Sequence, residues 1–311
     1  MLTISRMALG AATISFVFSF LGCSQLPTQA TAIQMPATQG MAPAPLSIRT
    51  YVPGDGAIFT TPSTLVTGKH DAILIDAQFS ADDAHQVVEQ IRSSGKQLKA
   101  IYISHWTPEY YFGLDTLKSA FPDVKVFATP QTNAHIRDSG ALKMKVWGPQ
   151  LGVNAPKRLI MPTPLPDARL RLEGQNIRII GLDGPTPDRT FVWIPSLRVI
   201  VGGVLITAGE HVWMADTQTR QSRLDWLDML DRAEALGPAV VIPGHYLPGS
   251  PLNLQALQFT RDYIKAFDEE AERAANSVEL IAAMKARYPG LRGEGTLDLS
   301  AKVAKGEMQW P

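Results

Sequence analysis

Metal-binding and redox side chains are scarce in this chain, which has one cysteine and six histidines in 311 residues. With Cys23 alone, neither an internal disulfide nor a cysteine-based zinc site can form. The histidines are His70, His85, His105, His135, His211 and His245, too few for an imidazole-rich centre of any size. Net charge is also lacking: 29 Lys and Arg balance 29 Asp and Glu. A chain without a basic excess has no electrostatic footprint for nucleic acid, so no nucleic-acid partner is expected. Apolar content is ample, at 45% of residues, enough for the core of one large domain or two small ones.

The apolar residues are unevenly spread. Residues 1–6 carry one positive charge, and residues 7–21 are apolar with small residues among them. Phe20-Leu21-Gly22-Cys23 follows and resembles a bacterial lipobox, with Phe in place of the usual Leu. An ordinary signal peptide and a membrane anchor are the competing readings. The run is short for a membrane span, which favours a cleaved signal over an anchor. Residues 1–22 are therefore expected to be a lipoprotein-type signal peptide, with the new N-terminal Cys23 carrying lipid on the periplasmic side of a bacterial membrane. Residues 24–46 are rich in Pro, Ala, Thr and Gln, with almost no charge. Such a segment cannot offset its ordering entropy by burial, so residues 23–46 read as a flexible tether.

Residues 47–311 read as the folded domain. Strands are expected at 47–52, 58–67, 72–75, 100–103 and 124–128, with helices from Ser80 and over 129–145. The second half repeats the scheme. Strands are expected at 170–172, 177–182, 190–194, 199–205 and 239–242, with helices over 224–236, 254–275 and 278–288. Periodicity by itself gives an α/β or α+β protein.

The segment Ser104-His105-Trp106-Thr107-Pro108-Glu109-Tyr110-Tyr111-Phe112-Gly113 lies between a β-branched run and an amphipathic one. α/β proteins commonly place chemistry on such a segment. It resembles the His-x-His-x-Asp-His signature of the metallo-β-lactamase superfamily. Ile73-Leu74-Ile75-Asp76, residues 183–195, Val201-Gly202-Gly203-Val204 and Pro243-Gly244-His245 are similar to further family segments in the same order. The resemblance implies an αββα four-layer sandwich, with Asp76 supporting the site.

It also implies where two metal ions would be held, and the side chains there have changed. The three-His position carries His105, Thr107 and Pro185. The other carries Glu109, His245 and Val204, with Tyr110 at the remaining His. Pro185 and Val204 offer no side-chain donor, and neutral Thr or Tyr oxygen suits zinc poorly. His105, Glu109 and His245 remain, and two His, one Glu and a water form a recognised catalytic zinc set. One reading is thus an exported hydrolase with a single zinc, cleaving an ester, lactone, amide or similar bond of a small molecule. Metal-bound water would be the nucleophile, and Glu109 and Tyr110 would assist catalysis. The other reading is a metal-free binding or scaffold lipoprotein.

His211, Asp216, Asp183 and Asp188 are possible substitute ligands. A supporting or surface role is the simpler reading for each: Asp188 capping or pairing with Arg189, Asp183 fixing the Gly184 turn. His70, His85 and His135 read as surface residues. Trp106, Tyr110, Tyr111, Phe112, Trp193, Trp213 and Tyr246 either line an apolar pocket or pack the loops onto the sandwich.

Overall fold

The computed structural model describes residues 44–54 and 56–310. The signal-like segment, Cys23 and the tether up to residue 43 lie outside the described residues. The first sheet contains β1 (Ser47–Tyr51), β2 (Ser63–Thr67), β3 (Asp71–Ile75), β4 (Gln97–Ile103), β5 (Lys125–Ala128) and β6 (Thr163–Pro164), adjacent in that order. Its first three strands pair antiparallel and the rest parallel. The second sheet uses β7 (Arg169–Leu172), β8 (Gln175–Ile180), β9 (Phe191–Ile194), β10 (Val199–Val201) and, after the short β11 (Thr207–Ala208), β12 (Val240–Ile242). Its strand order is β12-β10-β9-β8-β7. β11 pairs in parallel with β13 (His245–Tyr246), matching Thr207 to His245.

Strand alternation sets the layers. Along β3, Ile73 and Ile75 join one core with Ile177, Phe191 and Val201 of the second sheet. Ala72 and Leu74 point the other way, towards Val87, Val88 and Ile91 of α1 (Ala81–Ser93) and Leu117 of α3 (Leu114–Ala120). A strand buried on both faces reads as a continuous apolar run, as this one does. Ile136 of α4 (Pro130–Leu151) joins the same outer layer, while α2 (Pro108–Tyr111) lies within the 104–113 segment, the organising loop between β4 and α3. On the far side, Trp226, Met229 and Leu230 of α5 (Arg220–Ala235) pack in the first core with Leu257 and Ile264 of α6 (Leu254–Arg273). α7 (Ser277–Arg287) and α8 (Glu294–Ala304) complete this layer. The result is the expected αββα sandwich.

Several expected boundaries are corrected. The strand expected over 58–67 starts only at Ser63. Pro62 has no N–H to give a ladder, and the preceding residues bond elsewhere: Thr60 to Glu210, and the Thr61 carbonyl to Gln78 Nε2. The strand expected over 199–205 stops at Val201, because Gly202 and Gly203 take φ of 72° and 78°. The helix after Thr129 runs past residue 145 to Leu151. α8 was not expected, since its start is Gly-rich and only Leu297, Ala301 and Val303 mark an apolar face.

Ser80 caps α1 as its sequence predicts, its side chain accepting from Asp83 N.

Candidate functional site

Asp76 follows β3 with φ of 64°, a left-handed conformation that Asp tolerates better than most residues. Its carboxylate accepts from Ser104 N at 2.8 Å and from Ser104 Oγ at 2.7 Å. Ser104 Oγ in turn accepts from Gly203 N at 2.7 Å. Asp76 thus ties the end of β4 to the loop after β10, the supporting role its place implies. Burial pushes its carboxyl up to about 7, against the Ser104 hydrogen bonds, which pull it down.

Two glycines let the loops close on one another. A Cβ on Gly244 would stand 1.8 Å from the Gly203 carbonyl, and one on Gly203 would stand 2.2 Å from the Thr190 carbonyl. The loops at 190, 203 and 244 therefore meet backbone to backbone.

The organising loop folds into α2, with Pro108 in its first turn and Thr107 at its N-cap. Thr107 makes no capping bond; its hydroxyl donates to Glu109 Oε1 at 2.7 Å. Glu109 is 5% exposed, and its Oε1 lies 3.6 Å from His245 Nε2. That is an ion-pair contact slightly beyond hydrogen-bond length. On the other side of the ring, His245 Nδ1 is 3.4 Å from Thr61 Oγ1 and 3.9 Å from Glu210 Oε1. Burial pulls the imidazole down, but Glu109, Glu210 and Asp76 more than offset it, and the net shift is upward.

His105 is placed differently. It is 1% exposed, and neither ring nitrogen has a hydrogen-bond partner. Burial, then the charges of Arg189 and Lys143, hold it well below the usual histidine range, so it is neutral. Tyr110 is fully buried and makes an edge-on contact with both imidazoles, at 5.4 Å to His105 and 5.8 Å to His245. Its hydroxyl makes long hydrogen bonds to the carbonyls of Gly203 and Gly244. The phenol is wedged into the protein interior, with its oxygen used on backbone.

These residues do not fit a zinc ion. Among the described residues, no three His, Cys, Asp or Glu side chains form a group able to hold a metal. Glu109 and His245 come together, but His105 does not join them. Pro185 is exposed and Val204 is buried, and neither has a donor.

Among the described residues, none of the candidate substitute ligands completes a metal-holding group with Glu109 and His245. His211 is buried, with Nδ1 2.9 Å from Tyr263 OH of α6. Asp216 accepts from the indoles of Trp213 and Trp310. Asp183 is exposed and lies 3.5 Å from Arg232. Asp188 is half-exposed, and its charge acts on Arg189, although Arg189 makes its nearest ion pair with Asp216, at 3.9 Å. His70, His85 and His135 are all exposed as expected, with the His135 ring stacked on Trp106 at 5.1 Å between centroids. Of the aromatics, Tyr110, Tyr111 and Phe112 pack in the outer core and Trp193 in the inner one.

Sequence reasoning misses Glu210, Thr61, Arg189 and Lys143. It also misses Phe59, which lies against His245 and Trp147 with ring centroids 6.5 and 5.2 Å away. Glu210 and Arg189 are immediate neighbours of His211 and Asp188, so the sequence does point to the right loops. Which side chain of each loop turns inward has no sequence signal.

Residues 56–245 match the sequence profile of the metallo-beta-lactamase superfamily. Over 152 residues the chain is 24% identical to a protein described as metallo-beta-lactamase type 2 from Pseudomonas aeruginosa, a match over 48% of this chain and 53% of that protein. The chain thus spans about half the length of this curated relative. Among solved structures, a metallo-beta-lactamase family protein from Thermus thermophilus superposes with a TM-score of 0.61 at 16% identity, covering 84% of this chain and 93% of that one. A metallo-beta-lactamase from Pontibacter korlensis gives 0.54 at 18% identity, covering 71% and 95%. At such identities these two likenesses bear on the fold alone.

Proposed function

This chain belongs to the metallo-beta-lactamase superfamily, a hydrolase-like family, and from that premise we propose that it is a binding protein working without the family's metals. It is exported, tethered through a lipid on Cys23 to the periplasmic side of a membrane, and takes a small-molecule ligand. The observation that carries this reading is the failure of His105, Glu109 and His245 to gather around one point, with Tyr110 packed against both imidazoles. A metal-bound water needs at least three protein donors in a fixed geometry. Two of the three candidates are instead engaged with each other, Glu109 also accepting from Thr107.

The support of the site outlasts its metal ligands, which fits retention of the loop arrangement for binding. Asp76, Ser104, Gly203 and Gly244 keep three loops in close register. The test is hydrolysis of a chromogenic β-lactam and of simple ester and lactone substrates, with zinc added. The expected outcome is no turnover above that of buffer. Turnover within the usual enzyme range, on the order of 1–10³ s⁻¹, would overturn the reading.

A further inference from the structure

The C-terminal half of α4 is apolar on two sides. Met144, Trp147 and Leu151 turn inward and pack on the outer core, with Ile136 further along the same side. Leu142, Val146 and Pro149 follow one another at i, i+4 and i+7, so they share the opposite side. That side is open to solvent, with Leu142 59% and Val146 49% exposed. Val153, in the single 3-10 turn that ends the helix, is 97% exposed. A helix apolar all round is normally covered all round, yet nothing among the described residues covers this face. An exposed apolar patch with a polar border marks a protein or a membrane contact.

Composition decides between those two. Residues 139–166 contain no Asp or Glu, in a chain whose charges balance. The exposed cations of this stretch are Lys145, Lys157 and Arg158. Among the described residues, only Arg158 has a carboxylate partner, Asp115 at 2.8 Å. The other carboxylates at its borders are Asp138, one turn before Leu142, and Asp82, which accepts from Asn154 at 2.7 Å. Protein-binding patches favour aromatic side chains and exclude Lys from their centre. Here no aromatic side chain of the stretch is exposed, and Lys145 stands three residues from Leu142 and four from Pro149, on the apolar face itself. A lysine so placed can lay its stem along the apolar surface and hold its ammonium at headgroup level. Leu and Val with Lys beside them suit a helix lying in the plane of a bilayer interface. The chain outside the described residues is long enough for such contact. Residues 24–43, extended from Cys23, span at most about 70 Å.

We propose that the outer face of α4 docks on a lipid bilayer, with Leu142, Val146 and Val153 in the interface and Lys145 among the headgroups. This goes beyond the proposed function, since none of these side chains belongs to the site. A lipid on Cys23 would bring the face to the membrane without making its contacts.

The experiment is co-flotation of the full chain carrying Cys23→Ser with vesicles of phosphatidylcholine and phosphatidylglycerol, so that no acyl chain contributes. The protein should float. Leu142→Gln with Val146→Gln should weaken partition about tenfold or more, the scale of two lost apolar contacts, while Gln keeps the helix. Val278→Gln, at a 74% exposed position on α7 in the other outer layer, should leave partition unchanged. The Cys23→Ser chain has no other cysteine, so Val153→Cys takes a single environment-sensitive label. Its emission should shift to the blue on vesicles, and that of labelled Val278→Cys should not. No flotation, equal flotation of the double variant, or no emission shift at position 153 would each overturn the docking. So would a dimer that the double variant loses without any flotation, which would make the face an interface between two copies. Wild type found in cell membranes while the Cys23→Ser chain does not float would overturn the docking and leave the lipid anchor standing.

Discussion

Glu109 Oε1 stands 3.6 Å from His245 Nε2, across a contact where the superfamily's pattern would have a metal ion between such side chains. With Glu210 3.9 Å from the other ring nitrogen, the imidazole has a carboxylate on each side. His245 should therefore titrate above the ordinary histidine value of about 6.5. A raised folded pKa gives stability that is fully present below the unfolded pKa and is lost as pH rises through the folded one. NMR titration of the ring protons should show the upward shift, and Glu109→Gln should reduce it. An unchanged pKa in that variant would mean that Glu109 does not hold the ring.

Asp76 offers a second titration with its own sign. Its folded pKa is about 7, well above the unfolded value, with burial the main cause. Its contribution to stability is thus present at low pH and lost as pH rises through about 7. Asp76→Asn keeps an acceptor for Ser104 N–H and removes the titration. Urea midpoints measured from about pH 5 to about pH 8 should fall with pH in the wild type more steeply than in the variant. Parallel curves would assign the pH dependence to other groups.

Gly244 tests whether the loops really meet backbone to backbone. An added methyl would stand 1.8 Å from the Gly203 carbonyl and 2.8 Å from Tyr110 OH. Gly244→Ala should destabilise the protein by about 1–3 kcal/mol, the scale of overpacking, as read by urea unfolding. A change within about 0.5 kcal/mol, typical of an unremarkable surface site, would contradict the contact.

The frame of this fold was legible in the sequence for physical reasons. β3 is buried on both faces, so Ala72 to Ile75 read as a strand without alternation, and the Ser80 cap marks the start of α1. Asp76, the organising loop and His245 sit directly after or between such elements, which locates them. The partners of His245 were not legible, because Thr61 is 184 residues away in sequence and Glu210 belongs to a loop whose inward residue is set only by tertiary packing. Tyr110 could be placed at a ligand position, but only packing reveals its contact with both imidazoles.

The tether makes its own prediction through Cys23. If Cys23 becomes the acylated N-terminus, cell fractionation should find the wild-type protein in membranes and Cys23→Ser in the soluble fraction. Identical partitioning into the soluble fraction would remove the lipid anchor from the proposal.

The most direct measurement for the central claim is the metal content of the purified full chain, followed by a zinc titration at neutral pH. The donors present predict no stoichiometric zinc as purified and no saturable uptake, with His105→Ala and His245→Ala behaving like the wild type. One zinc per chain in the wild type, lost in both variants, would contradict the account and restore a single-metal site at His105, Glu109 and His245.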